Sequence, residues 1–120
     1  MPVTFCFDFG NTRKKCGVFE GRELKEVLVM DSDSDVEMQS MIERYHPSKA
    51  ILSSVIDHNP AMETILANSC KFHKLDHHSL LPLTTPVGKP ETIGADRLAL
   101  VMAAIDLFPD KNNLVIGLGT

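Results

Sequence analysis

Residues 3–30 read VTFCFDFGNTRKKCGVFEGRELKEVLVM, and this stretch decides the fold. From Val3 to Asp8, the apolar Val3, Phe5 and Phe7 alternate with Thr4 and Cys6, the two-residue period of a strand with one buried face. Phe9-Gly10-Asn11-Thr12 interrupts that period with turn formers. Lys14 to Glu20 and Glu23 to Met30 read as two further strands, and Gly21-Arg22 between them is a tight hairpin connection. Strands linked this closely predict an antiparallel meander.

Downstream the period changes. Asp33 to Tyr45 spaces Val36, Met38, Met41, Ile42 and Tyr45 as a helix, with Asp and Ser at its front as caps and Pro47 as its stop. Lys49 to Val55 is short and apolar and reads as a buried strand. Asn59-Pro60 opens a second helix to about Asn68, with Asn as cap and Pro in the first turn. Lys71 to Leu75 is a further strand, and residues 77–90, with Pro82, Pro86 and Pro90, form a long loop. Gly94 to Phe108 carries Leu98, Val101, Met102, Ile105 and Leu107 on a third helix ended by Pro109, and Leu114 to Leu118 reads as a last strand. A meander followed by alternating helices and strands predicts a mixed α/β sheet with helices on its faces. This is the order of a ribonuclease-H-like core.

Composition narrows the function classes. The 120 residues are 43% hydrophobic and 23% charged, the balance of one globular domain. Twelve basic residues against sixteen acidic ones leave a net charge of −4, which does not favour nucleic acid. Three scattered cysteines, Cys6, Cys16 and Cys70, build no disulfide framework and fit a reducing cytoplasm. No run approaches the ~18 apolar residues that cross a bilayer, and no signal peptide is visible. An apolar strand running into Gly117-Leu118-Gly119-Thr120 is an unusual end for a domain, so the chain is expected to be the front part of a longer protein.

Two constellations could carry chemistry. In the first, Asp8 ends a buried strand and is followed by Gly10, Asn11, Thr12 and the basic run Arg13-Lys14-Lys15. Gly10 allows close backbone approach and positive φ, and successive N–H groups in such a turn can form an anion nest. Asp8 would repel a phosphate directly, so its task would be to hold Mg²⁺ with the phosphate beyond. A plain Gly-Asn hairpin is the alternative reading. In the second, Gly94-Ala95-Asp96-Arg97 opens the third helix, where free N–H groups and the helix dipole favour a carboxylate. Arg97 offers a planar donor fork for a substrate carboxylate. Ordinary capping is the alternative for Asp96.

Other features carry less. No Walker-type loop or dinucleotide fingerprint occurs. Cys70, His73, His77 and His78 lack zinc spacing and read as polar loop residues. Ser53-Ser54 has no nucleophile elbow around it and reads as packing or loop hydrogen bonding. Met38, Met41 and Met102 read as core filler.

Together the motifs resemble one family. Asp8-x-Gly10-Asn11-Thr12-x-x-Lys15-x-Gly17 looks like the first phosphate motif of the type III pantothenate kinases. Ser53-Ser54-Val55 is similar to a recurring family segment, and Pro90-x-x-x-Gly94-x-Asp96-Arg97 resembles the substrate-binding and catalytic motif. Gly117-x-Gly119-Thr120 falls where the family carries Asp-x-Gly-Thr. The resemblance implies the N-terminal domain of an actin-like ATPase fold, and ATP-dependent phosphorylation of pantothenate, the first step toward coenzyme A, by a cytoplasmic homodimer using Mg²⁺ and a monovalent cation (K⁺ or NH₄⁺). By the same resemblance Asp8 serves the metal and phosphates. Gly10, Asn11, Thr12, Lys15, Gly119 and Thr120 line the nucleotide side. Gly94, Ala95, Asp96 and Arg97 hold pantothenate, and Asp96 accepts its hydroxyl proton. Two residues depart from the family pattern: Gly117 replaces an Asp that would serve the cation, and Val87 stands where an aromatic residue is usual. Gly117 also motivates an alternative, a non-catalytic dimerising or regulatory relative of the same fold.

Overall fold

A computed structural model describes residues 1–85 and 88–118. Five strands form one sheet: β1 (Val3–Phe9), β2 (Lys14–Glu20), β3 (Glu23–Met30), β4 (Lys49–Ser54) and β5 (Lys71–Lys74). Their spatial order is β3-β2-β1-β4-β5. The first three are antiparallel, as the meander predicts, while β4 runs parallel to both β1 and β5. Three α-helices follow in the expected places: α1 (Asp35–Tyr45), α2 (Pro60–Ser69) and α3 (Ala95–Leu107).

The caps explain the boundaries. Ser34 Oγ accepts the Glu37 N–H at 3.2 Å and starts α1. Asn59 Oδ1 accepts the Ala61 N–H at 3.1 Å to start α2, with Pro60 in the first helical turn. Asn59 also donates from Nδ2 to Asp33 O and Asp35 Oδ1, tying the two helix starts together. Gly21 turns the β2–β3 hairpin at φ +58°, the left-handed region glycine enters without steric cost.

The two faces of the sheet differ. Phe5, Phe7 and Phe9 point to one face in edge-to-face contact, with centroids 5.7 and 5.8 Å apart. Met38 and Met41 of α1 and Met62 and Leu66 of α2 cover them, and this core holds twelve buried residues. The other face carries Thr4, Cys6 and Asp8 of β1 and is covered by α3 together with Leu75, Leu81 and Ile93 from the segments before it. There Leu75, Ala95 and Leu98 form a small second core with Ile51 against it.

Three expectations differ from the structure. Residues 114–118 form no strand. The described sheet ends at β3 and β5, and this segment instead runs beside α3, where Gly117 approaches Leu100, so no ladder partner is within reach. Along α3 only Ala95 and Leu98 are buried, while Val101 and Leu107 are exposed and Met102 and Ile105 are half-buried, so the helix packs most closely through its first turn. Val36 of α1 is exposed as well. No described helix is long and apolar enough to cross a membrane.

A polar clip holds α2 to the sheet. The nearly buried His58 meets Ser54 Oγ through Nδ1 at 3.0 Å and Glu63 Oε2 through Nε2 at 2.8 Å. Lys74 of β5 also reaches Glu63 Oε2, at 3.4 Å. Desolvation works to raise the Glu63 carboxyl, but the His58 hydrogen bond and the Lys74 charge outweigh it and hold it below its ordinary value. A depressed carboxyl stabilises the fold above its unfolded pKa and loses that contribution as pH falls through the folded one. Thermal unfolding of Glu63→Gln should therefore show a deficit of about 1 kcal/mol at pH 7. The gap from the parent should close as the pH is lowered through and below the Glu63 titration.

Candidate functional site

Parallel pairing places Asp8 of β1 opposite Ser53 of β4, so both strands end at one edge of the sheet. Immediately beyond, β1 turns into β2 through Asn11 and Thr12, with the Gly10 N–H donated to Arg13 O at 2.9 Å. On the β4 side α3 begins at Gly94 and carries Asp96 in its first turn. Between hairpin and helix lies a cleft of about 590 Å³, lined among others by Asp8, Lys15, Ser53, Asp96 and Arg97. The two carboxylates separated by almost ninety positions therefore share one opening.

Gly10, Asn11 and Thr12 also line this cleft. The anion nest is narrower than expected, since the Gly10 N–H is already spent on Arg13 O. Gly10 has no positive φ, and a Cβ there would meet nothing nearer than Arg13 O at 3.7 Å. Its contribution is the low profile it presents to a ligand. The Asp8 side chain is exposed, and its carboxylate makes no hydrogen bond or ion pair among the described residues.

At the helix start, Asp96 Oδ1 accepts the Arg97 N–H at 2.9 Å. A Cβ on Gly94 would stand 2.7 Å from that same Oδ1. Glycine at 94 thus leaves the Asp96 carboxylate its place. Gly94 itself and Ala95 do not line the cleft; Ala95 is buried with Leu75 and Leu98 and serves packing. Gly117 and Leu118 reach the cleft wall, and a Cβ on Gly117 would be 3.1 Å from Leu100 Cδ1. Val87, Gly119 and Thr120 lie outside the described residues.

The electrostatics favour an anion. Arg13, Lys15 and Arg97 face the cleft against Asp8 and Asp96, one positive charge in excess on a chain of net −4. No group of three or more His, Cys, Asp or Glu that could hold a metal exists among the described residues. A single carboxylate is still compatible with Mg²⁺, which keeps several waters and completes its shell with phosphate oxygens. Such a cleft can hold a phosphate-bearing ligand at the hairpin and a hydroxyl at Asp96.

Ser53 is the residue whose place in the cleft the sequence motifs did not assign, although Ser53-Ser54-Val55 stood out as a family-like segment. It lines the cleft, whereas Ser54 points the other way and hydrogen-bonds Ile56 O and His58. Loop hydrogen bonding is thus right for Ser54 only.

Sheet order and the position of the cleft define the class: an actin-like N-terminal α/β domain, with its binding edge where β1 and β4 end together. The family follows from comparison with known sequences. The chain belongs to the type III pantothenate kinase family, whose sequence profile matches residues 4–120. It is 38% identical over 122 residues to a type III pantothenate kinase of Bacteroides fragilis, covering 98% of this chain and 49% of that protein. A type III pantothenate kinase of Christiangramia forsetii is 36% identical at 98% and 49% coverage, and one of Cytophaga hutchinsonii is 34% identical at 98% and 48%. The chain spans about half the length of these relatives.

The cysteines are not candidate nucleophiles. Burial raises the thiols of Cys6, which lines the cleft, and of Cys70. Burial, reinforced by the neighbouring Cys6, pushes Cys16 up to about 12. At pH 8 the Cys16 thiolate fraction should be about a thousandfold below that of an ordinary thiol. Iodoacetamide with mass-spectrometric readout should leave Cys16 unlabelled in the folded protein and modify it on unfolding.

Proposed function

We propose that the full-length protein transfers the γ-phosphoryl group of ATP to pantothenate, and that this chain supplies one wall of the site as the first of two domains. The observation that carries the reading is the single cleft shared by Asp8 and Asp96. Family membership supports the same substrate pair.

Phosphoryl transfer through a loose transition state needs alignment and charge neutralisation more than a strong base. Asp96 accepts a hydrogen bond from the pantothenate hydroxyl, orients its lone pair toward phosphorus and takes up the proton as the new oxygen–phosphorus bond forms and the bond from the γ-phosphorus to the bridging oxygen breaks, releasing ADP. Arg97 grips the substrate carboxylate with its guanidinium fork, which fixes the in-line approach. Lys15 and Arg13 neutralise phosphate charge from the hairpin, and Asn11 and Thr12 direct the polyphosphate. Asp8 would hold Mg²⁺, which when bound neutralises charge on the phosphates. Gly117 offers no side-chain oxygen to a monovalent cation, so no step is assigned to one. Gly119 and Thr120 belong to the nucleotide side by family resemblance. A homodimer working in the cytoplasm completes the proposal, and the three free thiols fit a reducing compartment.

Pantothenate- and ATP-dependent ADP release by the full-length protein tests the reading. Asp96→Asn should lower kcat by about 10²- to 10⁴-fold, and full activity in that variant would remove Asp96 from the chemistry. Arg97→Ala should raise the KM for pantothenate about tenfold or more while moving that for ATP far less. Gly94→Ala should lower kcat about tenfold or more by displacing the Asp96 carboxylate, at a stability loss of less than about 1 kcal/mol.

Gly117 favours a second reading, a non-catalytic relative that dimerises or regulates. Calorimetry distinguishes the two: tight binding of both Mg²⁺–ATP and pantothenate counts against it.

A further inference from the structure

Among the described residues, Ser53 Oγ is the only buried side-chain oxygen or nitrogen without a hydrogen-bond partner. The residue is 9% exposed and lines the cleft. Its neighbour in sequence shows how unusual this is, since Ser54 Oγ is engaged by both Ile56 O and His58 Nδ1. Leaving a buried hydroxyl unpaired is costly, and such groups cluster where a ligand supplies the missing partner.

The fold specifies where that partner sits. Ile51, Ser53 and Val55 are spaced two apart and share the face that α3 covers. Ile51 packs on the cluster of Leu75, Ala95 and Leu98. A Cβ on Gly94 would stand 3.7 Å from Val55 Cγ1, in ordinary contact. Ser53 therefore lies on the cleft floor between those two anchors, below the turn that carries Asp96 and in register with Asp8.

Its surroundings select the ligand group. The floor near Ser53 is apolar, formed by Ile51, Val55 and Leu75, while Arg13 and Lys15 come from the hairpin side. Asp8, its register partner, repels an unscreened phosphate. A neutral hydroxyl in this position matches a neutral dipole.

We propose that Ser53 is a binding residue for the alcohol substrate, its hydroxyl hydrogen-bonding an amide or hydroxyl group of that substrate while Asp96 holds the reacting hydroxyl. This rests on the kinase reading above and adds the residue that recognises the uncharged middle of the substrate.

The test compares Ser53→Ala with the parent full-length protein by calorimetry with pantothenate, by calorimetry with Mg²⁺–ATP, and by thermal unfolding. The expected result is a Kd for pantothenate raised about tenfold, the size of one hydrogen bond to a neutral group. The Kd for Mg²⁺–ATP should stay within about twofold, and the Tm of the free protein should be unchanged or higher, because the variant removes an unpaired buried hydroxyl. Parent protein that binds pantothenate with a variant-to-parent Kd ratio below about twofold overturns the Ser53 assignment and leaves the kinase reading intact. A weakening confined to Mg²⁺–ATP overturns the assignment in favour of a phosphate contact. A lowered Tm with both affinities reduced in parallel overturns it in favour of packing. Parent protein that binds no pantothenate overturns both proposals.

Discussion

Parallel pairing between β1 and β4 brings two strands from distant parts of the chain to a common carboxyl edge, with Asp8 level with Ser53. In a parallel ladder every side chain on one strand has its height fixed against the other. Asp8 and Ser53 are therefore positioned by backbone hydrogen bonds and not by their own side-chain contacts. Slipping that register by one residue would turn Ser53 toward the phenylalanine core and Ser54 into the cleft. Ala50 and Leu52 of β4 oppose such a slip, since the same shift would drive both off the core that buries them almost completely.

The sheet thus separates two jobs by face. One face buries aromatic and methionine side chains under α1 and α2 and holds the register. The other is thinly covered, and its uncovered end is the cleft. Alternation along one strand produces both: Phe7 and Phe9 stabilise, and Asp8 between them faces the cleft.

Local patterns made much of this legible. Period-two alternation located β1, the Gly21-Arg22 connection set β2 and β3 apart as a hairpin, and Asn59-Pro60 marked the start of α2 because its cap chemistry is local. Asp8, Asp96 and Arg97 stood out as short motifs whose spacing to glycine and to a helix start carries meaning within a few residues. What stayed hidden depends on distant partners. Residues 114–118 have the composition of a strand, but no free sheet edge lies beside them. Val101 and Leu107 have helical spacing, yet nothing in the sequence says how much of α3 the sheet meets. Ser53 and Ser54 differ only in which face each takes, and that depends on pairing with a strand more than forty residues earlier.

The second core beneath α3 has three buried residues where the first has twelve. Burial sets the energetic resistance of an element to displacement, so the two walls of the cleft are unequal in stiffness. The β1–β2 hairpin is anchored to the heavy side of the molecule, and the Asp96 helix rests on a light cushion. Small excursions of α3 across the sheet are accordingly cheap, and the gap between the two carboxylates can adjust to its occupant while the hairpin keeps its shape.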